Sequence, residues 1–155
     1  MWGIWSIDGS PFNVWADVKI PPDSVLTIES GVSVVFMVYA SFLIDTSATL
    51  LANGSPDDSI SFYADDPGNG WRGMRFLSAS SSSQLSYCTI EHGFADGVNE
   101  ERRGGALYIS SCSLSVSHCT LRDNYADYRG GAICCSNADP VISVFPVFLK
   151  WTRTA

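Results

Sequence analysis

Apolar residues recur two apart in short runs along most of this chain, and turn residues cut each run off. Val18 and Ile20, Leu26 and Ile28, then Val32, Val34 and Phe36 alternate with polar neighbours, the period of a strand with one buried face. Pro21-Pro22-Asp23-Ser24 and Glu29-Ser30-Gly31 stand between the runs with turn chemistry. Three short strands and two tight corners make one triangular rung. A second rung reads Leu43 and Asp45, Leu50 and Ala52, Ile60 and Phe62, offset from the first by 24 to 26 residues, with Asn53 to Asp58 as its longer corner. A third runs through Trp71, Met74 and Phe76, Leu85, then Cys88 and Ile90, with Ser80 to Ser83 as a solvated loop between its strands. The fourth uses Leu107 and Ile109, Leu114 and Val116, Cys119 and Leu121, and the fifth begins at Ile133 and Cys135.

The later rungs are close to verbatim repeats. Gly104-Gly105-Ala106-Leu107-Tyr108 is answered 26 residues on by Gly130-Gly131-Ala132-Ile133-Cys134, and Leu85 to Ile90 is answered 31 residues on by Val116 to Leu121. A chain that repeats at such a period stacks one supersecondary unit on the next, because a single unit cannot bury its apolar face alone. The expectation is an all-β parallel solenoid of about five rungs over residues 16–143. Residues 1–15 carry Trp2, Trp5, Phe12 and Trp15 and read as an aromatic N-terminal cap over the open end, with a sugar-stacking platform as the other reading. Residues 144–155 fit no rung and read as a C-terminal cap, or as the tail of a truncated or frame-shifted solenoid.

Composition narrows the partners. At 155 residues the chain is one domain able to bury roughly two thirds of its unfolded surface. Only 16% of residues are charged and the net charge is −7, which argues against nucleic acid, whose phosphates call for a basic face. The longest apolar run, Val32 to Leu43, is interrupted and falls short of the roughly 18 residues of a membrane span. The opening residues lack the charged-then-apolar order of a signal peptide, so either an export signal has been removed or the chain begins inside a longer protein.

The Gly-Gly-Ala segments at Gly104 to Tyr108 and Gly130 to Asn137, the Cys-Thr segments at Tyr87 to Ile90 and His118 to Leu121, and the stretch Ser24 to Val32 resemble right-handed parallel β-helix proteins of the pectate-lyase-like superfamily. The likeness is closest to bacterial extracellular repeat chains of the polymorphic outer-membrane-protein type, and it spans residues 2–143. It implies a right-handed coil and a secreted or cell-surface location. That superfamily includes lyases, hydrolases, esterases, adhesins and non-catalytic scaffolds, so it does not fix an activity.

Five cysteines leave at least one thiol without an intramolecular partner. Cys88 and Cys119 occupy the same rung position, which places them about 4.8 Å apart as a reduced, buried ladder. Cys135 shares the inward parity of Ile133, which leaves Cys134 outside beside Tyr108, where it is a candidate for linking two molecules. Stacking through the solenoid ends is the other route to a homo-oligomer. The cysteines contain no Cys-x-x-Cys and His92 and His118 lack a helical His partner, so neither set reads as a metal site. His118 falls where Tyr87 sits one rung earlier, a corner position.

Long insertions mark the face on which a solenoid works. Three fall at one corner, residues 63–70, 91–103 and 124–130, and should stack along one edge. They gather Trp71, Phe94, Arg103, Tyr125, Tyr128 and Arg129, the aromatic faces and guanidinium groups a polysaccharide site needs. They also bring Asp65, Asp66, Asp96 and Asp127, from which a hydrolase would draw an acid and a base or nucleophile roughly 5 to 10 Å apart. For a lyase, the resemblance implies Ca²⁺ held by carboxylates and a basic residue such as Arg72, Arg75, Arg103 or Arg129; no other cofactor is implied. Two readings stay open: a module that binds carbohydrate or serves as a surface and adhesion scaffold, and a polysaccharide-degrading lyase or glycoside hydrolase with its site on the loop edge.

Overall fold

A computed structural model describes residues 2–142 and the backbone of 148–151. In chain order the strands are β1 (Gly3–Trp5), β2 (Phe12–Val14) and β3 (Val18–Ile20), then β4 (Val25–Ile28), β5 (Ser33–Phe36) and β6 (Phe42–Ile44). There follow β7 (Thr49–Asn53), β8 (Ile60–Ala64) and β9 (Met74–Leu77), then β10 (Gln84–Ser86), β11 (Cys88–Glu91), β12 (Phe94–Ala95) and β13 (Leu107–Ser110). The last are β14 (Ser115–Ser117), β15 (Thr120–Ala126), β16 (Ile133–Ser136), β17 (Val141–Ile142) and β18 (Phe148–Trp151).

Every pairing among these strands is parallel and joins a strand to its counterpart one coil away, giving three sheets in the orders β1-β4-β7-β10-β14-β17, β12-β15-β11-β8-β5-β2 and β16-β13-β9-β6-β3. The chain is a parallel β-solenoid of about four turns, slightly fewer than the five rungs expected. Residues 1–15 also depart from the expectation of a separate cap, because β1 and β2 already belong to the first and second sheets. Trp5 and Phe12 do cover the end of the core: their rings stack at 4.9 Å and Trp5 meets Phe42 edge-on. Trp2 and Trp15 stand exposed. Of the segment expected as a C-terminal cap or tail, residues 148–151 add a strand beside β15, and the rest lies outside the described residues.

Register keeps like side chains over like. Inside the third sheet Ile20, Ile44, Phe76 and Ile109 form one column, and inside the second Val34, Phe62, Ile90 and Leu121 form another. Nearly all are fully buried, and each large apolar side chain buried this way contributes about 1.5–3 kcal/mol. Phe36, Phe42 and Phe62 link the columns at ring separations of 6.3 to 6.5 Å. One phase differs from expectation: Phe42 and Ile44 point inward and Leu43 outward, because Val18 pairs Phe42 and Ile20 pairs Ile44. Three apolar residues in succession carry no alternation from which the phase can be read. The serine-rich loop also differs in part, since Ser83 is fully buried and its hydroxyl accepts the Leu50 amide at 3.2 Å.

Cys88 and Cys119 are buried, free and stacked as expected; burial holds the Cys88 thiol well above its usual value. The Cys134 expectation is corrected. Cys134 pairs Tyr108 on the outer face but is only partly exposed, whereas Cys135 keeps the inward parity of Ile109 and is the exposed one, on the last rung of its sheet. Tyr87 and His118 both have positive φ and their rings stack at 4.5 Å, which makes them one corner repeated.

The Gly-Gly repeats answer to close backbone approach. Gly104 has φ of +67°, and a Cβ there would lie 2.2 Å from the Leu107 carbonyl; only glycine enters that conformation freely. A Cβ on Gly105 would fall 2.2 Å from the Gly131 carbonyl and 2.5 Å from that of Tyr125. Gly105→Ala should therefore lower the free energy of unfolding by about 1–3 kcal/mol in denaturant titration, while Ser82→Ala on an exposed turn stays within about 0.5 kcal/mol. An unchanged midpoint for Gly105→Ala would mean that the coils do not approach so closely. In the native protein a thiol reagent should modify Cys135 first and reach Cys88 and Cys119 only on unfolding, as mass spectrometry of the alkylated peptides would show.

Candidate functional site

The corner between the second and third sheets carries the chain's longest loop, residues 96–103, whose second half is a short 3-10 turn at Asn99–Arg102. The second sheet prepares this loop. Strand β15 spans seven residues and pairs with both β11 and β12, which the intervening His92-Gly93 separates. His92 takes φ of +63°, and Asp123 repeats the kink one coil later at +56°. Asn124, fully buried, mends the broken ladder: its Oδ1 accepts the Gly93 amide at 2.8 Å and its Nδ2 donates to the Ile90 carbonyl at 2.9 Å. A buried amide with both ends bonded fixes where the loop departs.

Two side chains then hold the loop over the outer face of the third sheet. The Tyr39 hydroxyl is shared between the carbonyls of Phe94 and Asp96, at 2.8 and 3.0 Å. Arg75, on the outer face of β9, donates to the carbonyls of Arg103 at 2.8 Å and Gly104 at 3.3 Å, and also to that of Glu100, and lies 4.6 Å from the centre of the Tyr108 ring. Among the described residues Arg75 forms no ion pair. Its charge is met by carbonyl oxygens and an aromatic face, and burial pulls its pKa below the ordinary arginine value.

Beneath the loop lies a groove of about 200 Å³ lined by Ser41, Leu43, Arg72, Arg75, Leu77, Glu100, Glu101 and Tyr108. Arg72 is ion-paired with Glu101 at 3.2 Å and sits 4.8 Å over the Tyr39 ring. The groove is below the roughly 300–1,000 Å³ of pockets that enclose a drug-sized ligand. It suits one ring of a longer chain held at a surface.

The expected edge residues divide into three groups. Phe94 and Tyr125 pair across coils with ring centres 4.9 Å apart. Arg103 and Arg129 pair through a parallel bridge, and Tyr128 stands between them, half exposed, with Arg102 alongside. Asp127 joins that cluster through a 2.8 Å ion pair with Arg102. Trp71, expected among the ligand-stacking residues, is instead wholly buried. It stacks on Phe36 at 4.0 Å and donates its indole N–H to the Glu91 carbonyl at 2.7 Å, so it is a core residue. Asp66 caps its own turn by accepting the Gly68 amide; Asp65 and Asp96 are exposed, and neither Asp65 nor Asp66 bonds to Asp96 or Asp127. Among the described residues no three His, Cys, Asp or Glu side chains gather in a way that could hold a metal ion, so the Ca²⁺ expectation finds no ligand cluster there.

Sequence reading missed Tyr39, Leu43 and Tyr108 as parts of the site. Tyr39 bonds to a loop 55 and 57 residues away, a contact with no local signature. Leu43 and Tyr108 were signalled only by strand parity. No protein-family model matches the chain, and no curated protein or solved structure is significantly similar to it. The fold defines its class, a parallel β-solenoid.

Burial is the main cause that raises the Tyr39 pKa above its usual 10. The protonated hydroxyl is the donor to the loop, so the stability it contributes is complete below pH 10 and is lost as pH rises through the higher folded-state value. One tyrosine should accordingly titrate late in ultraviolet absorbance, and Tyr39→Phe should remove that phase. The same substitution should loosen the loop by about 0.5–1.5 kcal/mol, seen as faster amide exchange at 94–103 with little change at 60–64. Equal exchange in both proteins would mean that Tyr39 does not tether the loop.

Proposed function

We propose that this chain is a secreted or cell-surface β-helix module of bacterial type that binds carbohydrate along its loop-bearing edge and serves as a surface scaffold. The observation that supports it most is the open groove under the 96–103 loop. There a tyrosine ring, an apolar floor and the Arg72–Glu101 pair stand together on a rigid sheet. Sugars present apolar ring faces and dense hydroxyls, and a site of aromatic surface with charged hydrogen-bonding groups matches both. The likeness of the Gly-Gly-Ala and Cys-Thr repeats to pectate-lyase-like chains supports the same reading, and a right-handed coil goes with it.

For the lyase or hydrolase reading, Asp127 is engaged by Arg102 and Asp66 by its own turn, an arrangement that favours binding over turnover. Incubation with pectin, alginate, xylan, glucan and cellulose separates the readings. The expected result is retention on at least one polymer without new unsaturated products or reducing ends, with retention weakened about tenfold in Arg72→Ala/Glu101→Ala. Product that forms with the unaltered chain and vanishes in Asp96→Ala or Asp127→Ala would replace the scaffold reading with an enzyme.

A further inference from the structure

Arginine is scarce in this chain and unevenly placed. Of its seven arginines, three surround a single ring: the guanidinium carbons of Arg102, Arg103 and Arg129 lie 5.5, 5.3 and 4.9 Å from the centre of Tyr128. We propose that these three arginines form an anion site that takes the charged substituent of an acidic polysaccharide, a uronate carboxylate or a sulfate ester. The proposal rests on the carbohydrate-binding reading above and names the class of sugar.

The backbone forces the like charges together. Arg103 and Arg129 are partners in a parallel bridge, so their side chains leave the same face about 4.8 Å apart. The amides of Tyr128 and Arg129 both donate to the Arg102 carbonyl, at 3.0 and 3.4 Å, and the Gly104 amide donates to that of Arg129 at 2.9 Å. The glycines that follow, Gly104 and Gly130, both take positive φ, so the Arg-Gly-Gly-Ala repeat sets each arginine at the same point of its coil.

The cluster is short of counter-charge. Asp127 neutralises Arg102, but among the described residues neither Arg103 nor Arg129 enters an ion pair. Arg129 donates to the Tyr128 hydroxyl at 3.3 Å, and the Arg103 Nε is buried with no hydrogen-bond partner. A buried guanidinium N–H left unbonded is costly, and an oxyanion bridging the two forks would satisfy it. Guanidinium forks match the paired oxygens of carboxylate and sulfate, and Tyr128, 51% exposed, leaves the cluster open to solvent. The net charge of −7 repels a continuous polyanion over the rest of the surface, which favours a sugar chain touching one charged substituent here over a nucleic acid. The 96–103 loop joins this cluster to the groove, since Glu100 and Glu101 line the groove while Arg102 and Arg103 face Tyr128.

Affinity electrophoresis of the full chain through polygalacturonate, dextran sulfate and neutral dextran tests the site. Retardation by polygalacturonate alone assigns a carboxylate, and by dextran sulfate alone a sulfate ester. Either result should weaken at least tenfold in Arg103→Gln/Arg129→Gln and persist in Arg122→Gln, an arginine paired elsewhere with Glu91. Equal retardation by neutral dextran, unmoved by the double substitution, would overturn the anion site and leave carbohydrate binding standing. Retardation by none of the polymers would remove the carbohydrate reading. A sodium sulfate titration of the unaltered chain, followed at the ¹⁵Nε resonance of Arg103, would then decide, and it also serves if the double variant does not fold. A saturable shift keeps the anion site, and a resonance that does not move overturns it.

Discussion

Parallel stacking of coil on coil at one fixed register is the constraint from which the rest of this molecule follows. Each strand gives its N–H and C=O groups to the coils above and below, so no coil is complete alone. A side chain that points inward in one coil is covered by its counterpart in the next. Hydrogen bonding and apolar burial therefore reward the same register, and a slip of one residue would turn every column inside out. The aromatic series from Trp5 through Phe42, Phe36 and Trp71 runs up this axis and joins the coils into one core.

Stacking also dictates what the corners can be. Tyr87 and His118, or His92 and Asp123, take left-handed backbone at equivalent points of neighbouring coils, because a corner that turned differently would break the register of the sheet beyond it. Insertions are tolerated only where they leave the stack, and the loop at 96–103 does so at the kink that Asn124 repairs. The rigid part of the fold thus fixes both ends of the loop. Tyr39 and Arg75 hold its middle, so a groove and an arginine cluster stand on opposite flanks of one short segment.

The stack was legible in the sequence wherever polar and apolar residues truly alternate. Val34, Phe62, Ile90 and Leu121 announced their column, and Cys88 and Cys119 their ladder. The phase failed at Phe42-Leu43-Ile44, where three apolar residues fit either parity, and only pairing with β3 decides. Trp71 misled for a different reason: it lies in the corner that carries the loops, yet a long-range stack with Phe36 draws it into the core. The shared edge was foreseeable from loop position, since Phe94 meets Tyr125 and Arg103 meets Arg129 there. Tyr39 was not, because its partners come from a coil far along the chain. Cys134 and Cys135 exchanged their expected exposures because parity says which way a side chain points and not what covers it; the outer face at Tyr108 is sheltered, and the inner face at the last rung is not.

Register between coils is most directly read from cross-strand proton contacts in solution. In an isotopically labelled sample, nuclear Overhauser contacts should join Thr89 to Ser61 on one side and to Thr120 on the other, in the staggered pattern of parallel strands. Close α-proton pairs of the kind seen only between antiparallel strands, or contacts confined to residues three and four apart between Cys88 and Cys119, would contradict the solenoid and every site described on its edge.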